Sequence, residues 1–329
     1  MISHGSFPTD HSQPDLVVTG PEEVKSTTVS YFQKLYHRTT RTHQHKPWLS
    51  SPSVVDIRAA TSSHPFQWPV LLSLKDLRAL LSRGNSRPTP GPDGWEKWYL
   101  SDGALSIVLK LVNHILSHSH VPDCIKPTNL STIHKRGPNT YLFNYQGVAC
   151  NNCLLNLPFA WLNYRITPYL THHHIIPECQ VATQPGTQGH DLISYISQLE
   201  LWAAREHVPL YILQRDQHKG FDMLEPEGFY DAITAYGLPS SIIDLDRSAQ
   251  DSVPYRVKTA YGLTDPFIVS GVTKQGGSLS PLKCTLTTSL CNRWLMDLDC
   301  QGALTVRTHQ SRIGKVHTPA DDLSLHVYD

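Results

Sequence analysis

The chain has 329 residues, of which 40% are hydrophobic and 17% charged, with 28 basic against 28 acidic side chains and a pI near 7.3. That composition excludes a disordered polymer and gives enough apolar residues for one or two buried cores. Neutrality also excludes a uniformly basic surface, so binding to phosphate backbones would need positive charge gathered in one place, and Lys126 to Arg136 with Lys258 to Lys274 are the stretches that supply it.

The seven cysteines, an odd number, give no disulfide framework and fit a reducing compartment. The N-terminus lacks a basic segment followed by an apolar one, and no apolar run approaches membrane-spanning length. The expectation is a soluble intracellular protein without a membrane partner, with nothing to separate nucleus from cytoplasm.

Residues 1 to about 20, rich in Ser, Pro, His and Asp, are expected to be loose. Pro21 then opens a short helix with Val24, Val29, Phe32 and Leu35 on its buried side. From His37 to Pro69 the chain is polar and proline-punctuated, with Trp48 and Trp68 as anchors onto a larger body. Residues 1–70 therefore read as an N-terminal extension, partly disordered. Ser73 caps a helix through Leu77, Leu80 and Leu81, and Arg83-Gly84-Asn85 ends it. A proline-rich turn, PGPDG at Pro90 to Gly94, leads into a second amphipathic helix from about Asp102 to His118.

Leu130 to Ile133 alternates like a strand and presents Lys135 and Arg136 at its end. Trp161 to Leu170 is helical, running into His172, His173 and His174. A lone CxxC at Cys150 and Cys153 without a second spaced pair is a poor zinc signal. Asp191 to Arg205 reads as an amphipathic helix carrying Ile193, Ile196, Leu199 and Leu201. It feeds an apolar strand, Leu210 to Leu213, which delivers Asp216 to a loop bearing Lys219, Phe221 and a second acid, Asp222. A carboxylate at a buried strand end needs a cation or a turn to hold it. Pro226 opens the next helix, with Phe229, Ala232, Ile233 and Tyr236 on one face and Gly237-Leu238-Pro239 as its stop.

Tyr255 to Tyr261 and Phe267 to Val272 form a hairpin around Gly262 to Pro266. Gln275-Gly276-Gly277 precedes a helix opened by Ser280 and Pro281, with Leu282, Leu286 and Leu290 stacked one turn apart. A glycine pair there is a tight turn, and it also lets backbone approach a ligand at a helix start that favours phosphate. Near the end stand Asp321 and Asp322, after Pro319 and a poor core strand.

In order, PGPDG, IHKRG (Ile133 to Gly137), NYQG (Asn144 to Gly147), QVATQPG (Gln180 to Gly186), RDQHKGFD (Arg215 to Asp222) and TKQGGSLSP (Thr273 to Pro281) make the chain resemble the reverse transcriptases of non-LTR retrotransposons, of fungal type. The resemblance covers most of residues 85 to 285. It implies an α+β, right-hand polymerase-like fold, with a fingers-like region at 71–179 and an incomplete palm-like region at 180–329, its antiparallel sheet backed by helices. The thumb would be absent and the reading frame truncated after the palm. It implies an RNA template, a DNA primer, deoxynucleotides and two Mg²⁺ ions.

By the same resemblance Asp216 and Asp321 are the metal ligands, with Asp322 completing the catalytic acids. Lys135 contacts the incoming triphosphate, Phe221 lies beneath the sugar and excludes a ribose 2′-hydroxyl, and Gln275 with Gly276 holds the base. Two carboxylates about 4 Å apart repel by about 4 kcal/mol at a surface-like dielectric, so convergent aspartates imply cations. Two departures stand out: Gln146 replaces the family's phosphate-gripping arginine, and Pro319 replaces the aromatic before the paired acids, so Asp321-Asp322 is either the third acidic motif or a polar loop. The alternatives are a catalytically dead retroelement remnant and a domesticated interaction protein on the same scaffold.

Overall fold

A computed structural model describes residues 2–3, 17–37, 45–83, 89–96, 102–177, 180, 186, 188–210 and 220–297. Ten helices and two sheets lie within them. The smaller sheet is the antiparallel pair β1 (Ile2–Ser3) and β2 (Val17–Val18), which fixes two points in a segment expected to be loose.

The larger sheet has five strands. β3 (Thr128–His134) and β4 (Tyr145–Asn151) are antiparallel neighbours, and β5 (Val253–Thr259) lies on the other side of β3. β5 also pairs with β6 (Gly262–Leu263) and β7 (Phe267–Val269), both antiparallel. The expected hairpin is therefore present, but β5 serves two partners in succession. β3 and β5 run parallel, Leu130 facing Val257, so the described sheet is mixed rather than wholly antiparallel. A parallel pair needs a crossover connection, and here its described part after β4 is mainly helical, with Cys153–His172, Gly189–Glu206, Pro226–Ala235 and Ser241–Gln250.

Strand alternation decides which face is covered. Val253, Tyr255 and Val257 point to one side with Leu130 and Ala149, while Arg256 and Lys258 point to the other and are exposed. Helix α1 (Pro21–Tyr36) lies on the apolar side and contributes Phe32, Leu35 and Tyr36 to that core. It is a full 16 residues, because Pro21 at its start and Glu22-Glu23 in its first turn suit a helix N-terminus.

A second core is helical. Helix α2 (Pro52–Ser63), which the proline punctuation of His37 to Pro69 conceals, buries Val54, Ile57 and Thr61. α3 (Leu74–Leu81) is capped by Ser73 in a reciprocal box with Asp76, and α4 (Asp102–His118) buries Leu105, Val108, Val112, Ile115 and Leu116. α5 (Cys153–His172) begins eight residues before the apolar pattern at Trp161 marks it, and carries Pro158 and Pro168 inside it. α6 (Gly189–Glu206) has the expected bounds within two residues, yet Ile193 and Leu201 are 67% and 71% exposed, so its apolar face is not the one the spacing implied.

After the short α7 (Gly220–Met223) come α8 (Pro226–Ala235), ended by Gly237 at φ +68, and α9 (Ser241–Gln250), which the sequence did not announce. α10 (Ser280–Asp297) packs on α8 and α2, and Tyr236 ties the three together: its hydroxyl meets Ser289 at 2.9 Å and its carbonyl accepts from Thr61 at 2.7 Å. Among the described residues no helix is long and apolar enough to cross a membrane.

Phe32 is fully buried where α1 meets the sheet. Phe32→Ala is expected to lower unfolding stability by about 3–5 kcal/mol, seen as a fall in the urea midpoint at unchanged m-value. A midpoint within error of the parent would remove α1 from the folding core.

Candidate functional site

Strand β4 gathers the motifs. At its start, Gln146 pairs with Ile133 and Tyr145 with His134, and the Lys135 amide donates to the Asn144 carbonyl at 3.0 Å. The IHKRG and NYQG segments are thus the two arms of one hairpin. Strand alternation puts Gln146 and Ile133 on the face opposite α1, with the exposed Lys135 two residues further along the same side.

In its middle, the Ala149 amide on the outer edge of β4 donates to the Gln275 carbonyl at 2.7 Å. Gly276 sits at φ +101, and a Cβ there would lie 2.7 Å from the Ala149 carbonyl oxygen, so only glycine lets the loop come this close. The Gln275 side-chain oxygen is buried and has no donor among the described residues. At its end, Gly91 of PGPDG lies against the Asn151–Asn152 peptide, where a Cβ would be 2.5 Å from backbone atoms. Asp93 reinforces that seat, its amide donating to Asn152 Oδ1 at 3.1 Å, and burial raises its carboxyl above the ordinary range.

Phe221 and Asp222 are positioned by α7. Phe221 is half-buried, whereas Asp222 is 3% exposed and accepts from the Tyr36 hydroxyl at 3.4 Å. Tyr36 in turn abuts β4, since a Cβ on Gly147 would come within 3.0 Å of its oxygen. Burial, and then the Asp222 charge, push the Tyr31 hydroxyl up to about 12 and those of Tyr36 and Tyr255 well up. Of the sequence-derived candidates, Lys135, Phe221, Gln275 and Gly276 are therefore all linked to β4 directly or through Tyr36. Asp216, Asp321, Asp322 and Pro319 lie outside the described residues. From the QVATQPG segment Gln180 is described, and its amide donates to the Thr285 carbonyl and the Thr288 hydroxyl of α10.

Behind the Gln275 loop lies a buried polar cluster that sequence reasoning missed. Asp246 on α9 accepts from Lys283 of α10 at 3.1 and 2.9 Å, from the Tyr230 hydroxyl at 3.1 Å and from Gln250. Both charges of this ion pair are about 95% buried. Lys274 points the same way, donating to Thr128 Oγ1 at 3.2 Å, and Lys126 pairs with Asp123. Two of the lysines expected to form a basic cleft are thus turned inwards. The Asp246–Gln250 spacing of four was the available signal, but it had no recognised helix to sit on.

No protein-family model matches the chain. The chain is similar to a retrotransposon polyprotein. Over 213 residues it is 24% identical to the Retrovirus-related Pol polyprotein from type-2 retrotransposable element R2DM of Drosophila melanogaster. The match covers 63% of this chain and 19% of that protein, so the chain spans about a fifth of its relative's length. This supports a retrotransposon-related origin, and the mixed α/β architecture is compatible with the α+β class.

Desolvation, then repulsion from Lys283, lowers the Lys274 ammonium from 10.5 to about 7, with Lys126 adding to the fall and Asp246 opposing it. Below about pH 7 the group is charged in both folded and unfolded chains and its burial is a full cost. Between about pH 7 and 10.5 the unfolded chain holds a proton the folded one has released, so stability rises with pH. Lys274→Met is expected to stabilise the protein at about pH 6, with an advantage that shrinks as pH rises to about 9 and is gone only near pH 10.5. Urea titrations at both values check this, and a pH-independent difference contradicts it.

Proposed function

We propose that this chain carries the fingers-like and part of the palm-like region of an RNA-directed DNA polymerase of a non-LTR retrotransposon, extending a DNA primer on an RNA template with deoxynucleotides. The observation that supports it is the convergence on β4 of motifs lying far apart in the chain: PGPDG at its end, the QGG loop at its edge, the Lys135 hairpin at its start and Phe221-Asp222 through Tyr36. The similarity to a retrotransposon Pol polyprotein adds to it.

In this reading Asp216 and Asp321 would hold two Mg²⁺ ions, with Asp322 completing the catalytic acids. When bound, the metals supply charge stabilisation for in-line displacement at the α-phosphate. The chain's own residues do the rest. Lys135, exposed at the hairpin end, meets the triphosphate as a mobile point charge. Gln275, whose buried side-chain oxygen has no donor among the described residues, would contact the base in this reading. Phe221, fixed beside the anchored Asp222, closes the space where a 2′-hydroxyl would project.

A second reading, a remnant that has lost polymerisation, is favoured by Gln146. It pairs with Ile133 on the same face as Lys135, where an arginine would add a second cation for the phosphates.

Primer extension on an RNA template separates the two. Magnesium-dependent incorporation of deoxynucleotides is expected, with none measurable for Asp216→Asn; extension that survives this substitution rejects the assignment. Phe221→Ala is expected to raise ribonucleotide use relative to deoxynucleotide use by about tenfold or more. An unchanged ratio in an active variant would take the sugar-sensing role from Phe221.

A further inference from the structure

The polar cluster behind the Gln275 loop borders a half-open cavity of about 40 Å³ between β4, α5, α9 and the start of α10. One water needs about 10–15 Å³ measured in the same way, so there is room for a small polyatomic ion. Its lining combines Lys274, Asn151, Asn156 and Gln250 with the segment Gly277 to Ser280 and the apolar Leu155 and Phe159.

We infer that this cavity binds hydrogenphosphate, held by the Lys274 ammonium and the N-terminus of α10 and recognised through its remaining proton by Gln250. The inference does not rest on the polymerase reading.

Three observations carry it. Lys274 has three N–H groups and, among the described residues, makes one hydrogen bond, to Thr128. The helix N-terminus adds the amides of Ser278 and Leu279, which have no acceptor among the described residues, at the positive end of an 18-residue dipole. Gln250, 6% exposed, is decisive: its Nε2 is committed to Asp246, and its Oε1 is buried without a donor. An oxyanion that keeps an O–H satisfies that oxygen, and one without a proton does not. Asp246 also lines the cavity, but its carboxylate already accepts from Lys283, Tyr230 and Gln250, so its charge is compensated. An anion would also remove the cost of the buried Lys274 charge, next to Lys283 and Lys126.

The test is inorganic phosphate added to the full chain at pH near 7, followed by thermal unfolding and by titration calorimetry, with chloride and sulfate at matched ionic strength. Phosphate is expected to raise the midpoint saturably, as a ligand selective for the folded state must, and to be taken up with protons. Sulfate, which has no proton for Gln250, is expected to bind about tenfold more weakly, as for one lost hydrogen bond. Lys274→Met should weaken phosphate by about tenfold or more, the loss of a charged hydrogen bond. Ser278→Asp places a carboxylate in the cavity lining beside the helix start, where it suits the dipole, and should abolish binding in a protein that still unfolds cooperatively. Phosphate acting no differently from chloride, sulfate matching phosphate, or both variants keeping the parent's affinity would each overturn the inference.

Discussion

The amide of Ala149 donates to the Gln275 carbonyl at 2.7 Å, and this contact sets the geometry of the molecule's centre. An edge strand presents unpaired backbone groups, which must be covered or paired. Among the described residues the edge of β4 is met at Ala149 by a loop rather than by another strand, and a loop can lie so near only where its residues lack a Cβ. Gly276 provides that on the outer edge, Gly147 provides it beneath Tyr36, and Gly91 provides it against the Asn151–Asn152 peptide. Three glycines in three motifs thus serve one strand, whatever further task each motif has.

The same strand separates two ways of handling charge. On the face of the sheet opposite α1, Lys135, Arg256 and Lys258 meet solvent and cost little. Behind the Gln275 loop, Lys283 and Asp246 are removed from water altogether. A buried pair of this kind is a weak source of stability and is retained only when its remaining lone pairs and protons are satisfied. Tyr230 and Gln250 do this for the acid. The bonds join α8, α9 and α10 through one carboxylate, so the cluster fixes the helix that starts at Ser280 relative to the sheet.

Legibility in the sequence followed physical locality. α3, α4, α8 and α10 were readable because cap, apolar face and stop lie within one segment, as with Ser73, Leu77 and Asp76, or Pro226, Phe229 and Gly237. α2 and α9 were not, because prolines or acids interrupt their apolar stripes and tertiary contacts pay the difference. Asp246 illustrates this: it reads as a surface acid until α10 brings Lys283 to it. α6 shows the opposite failure, for its spacing is helical but periodicity cannot say which neighbours are present to cover Ile193 and Leu201. Within the candidate site, residue types and order were visible. The linking residues, Tyr36, Asn152 and Thr128, carried no local signal.

Asp222 shows how far a single buried acid can organise its surroundings. It stands one residue after Phe221 and is withdrawn from water, while Tyr31, Tyr36 and Tyr255 all feel its charge. These rings also stack from α1 onto β5: Phe32 and Tyr36 lie 5.8 Å apart between centroids, as do Tyr36 and Tyr255. The aromatic layer therefore joins the helix that covers the sheet to the residue that holds α7. A displacement of α1 would be felt at Phe221 through one hydroxyl, and at β4 through the ring above Gly147. Asp222, and with it the α7 turn that carries Phe221, is thus held by the packing of α1 on the sheet, so the N-terminal helix is part of the support of that segment.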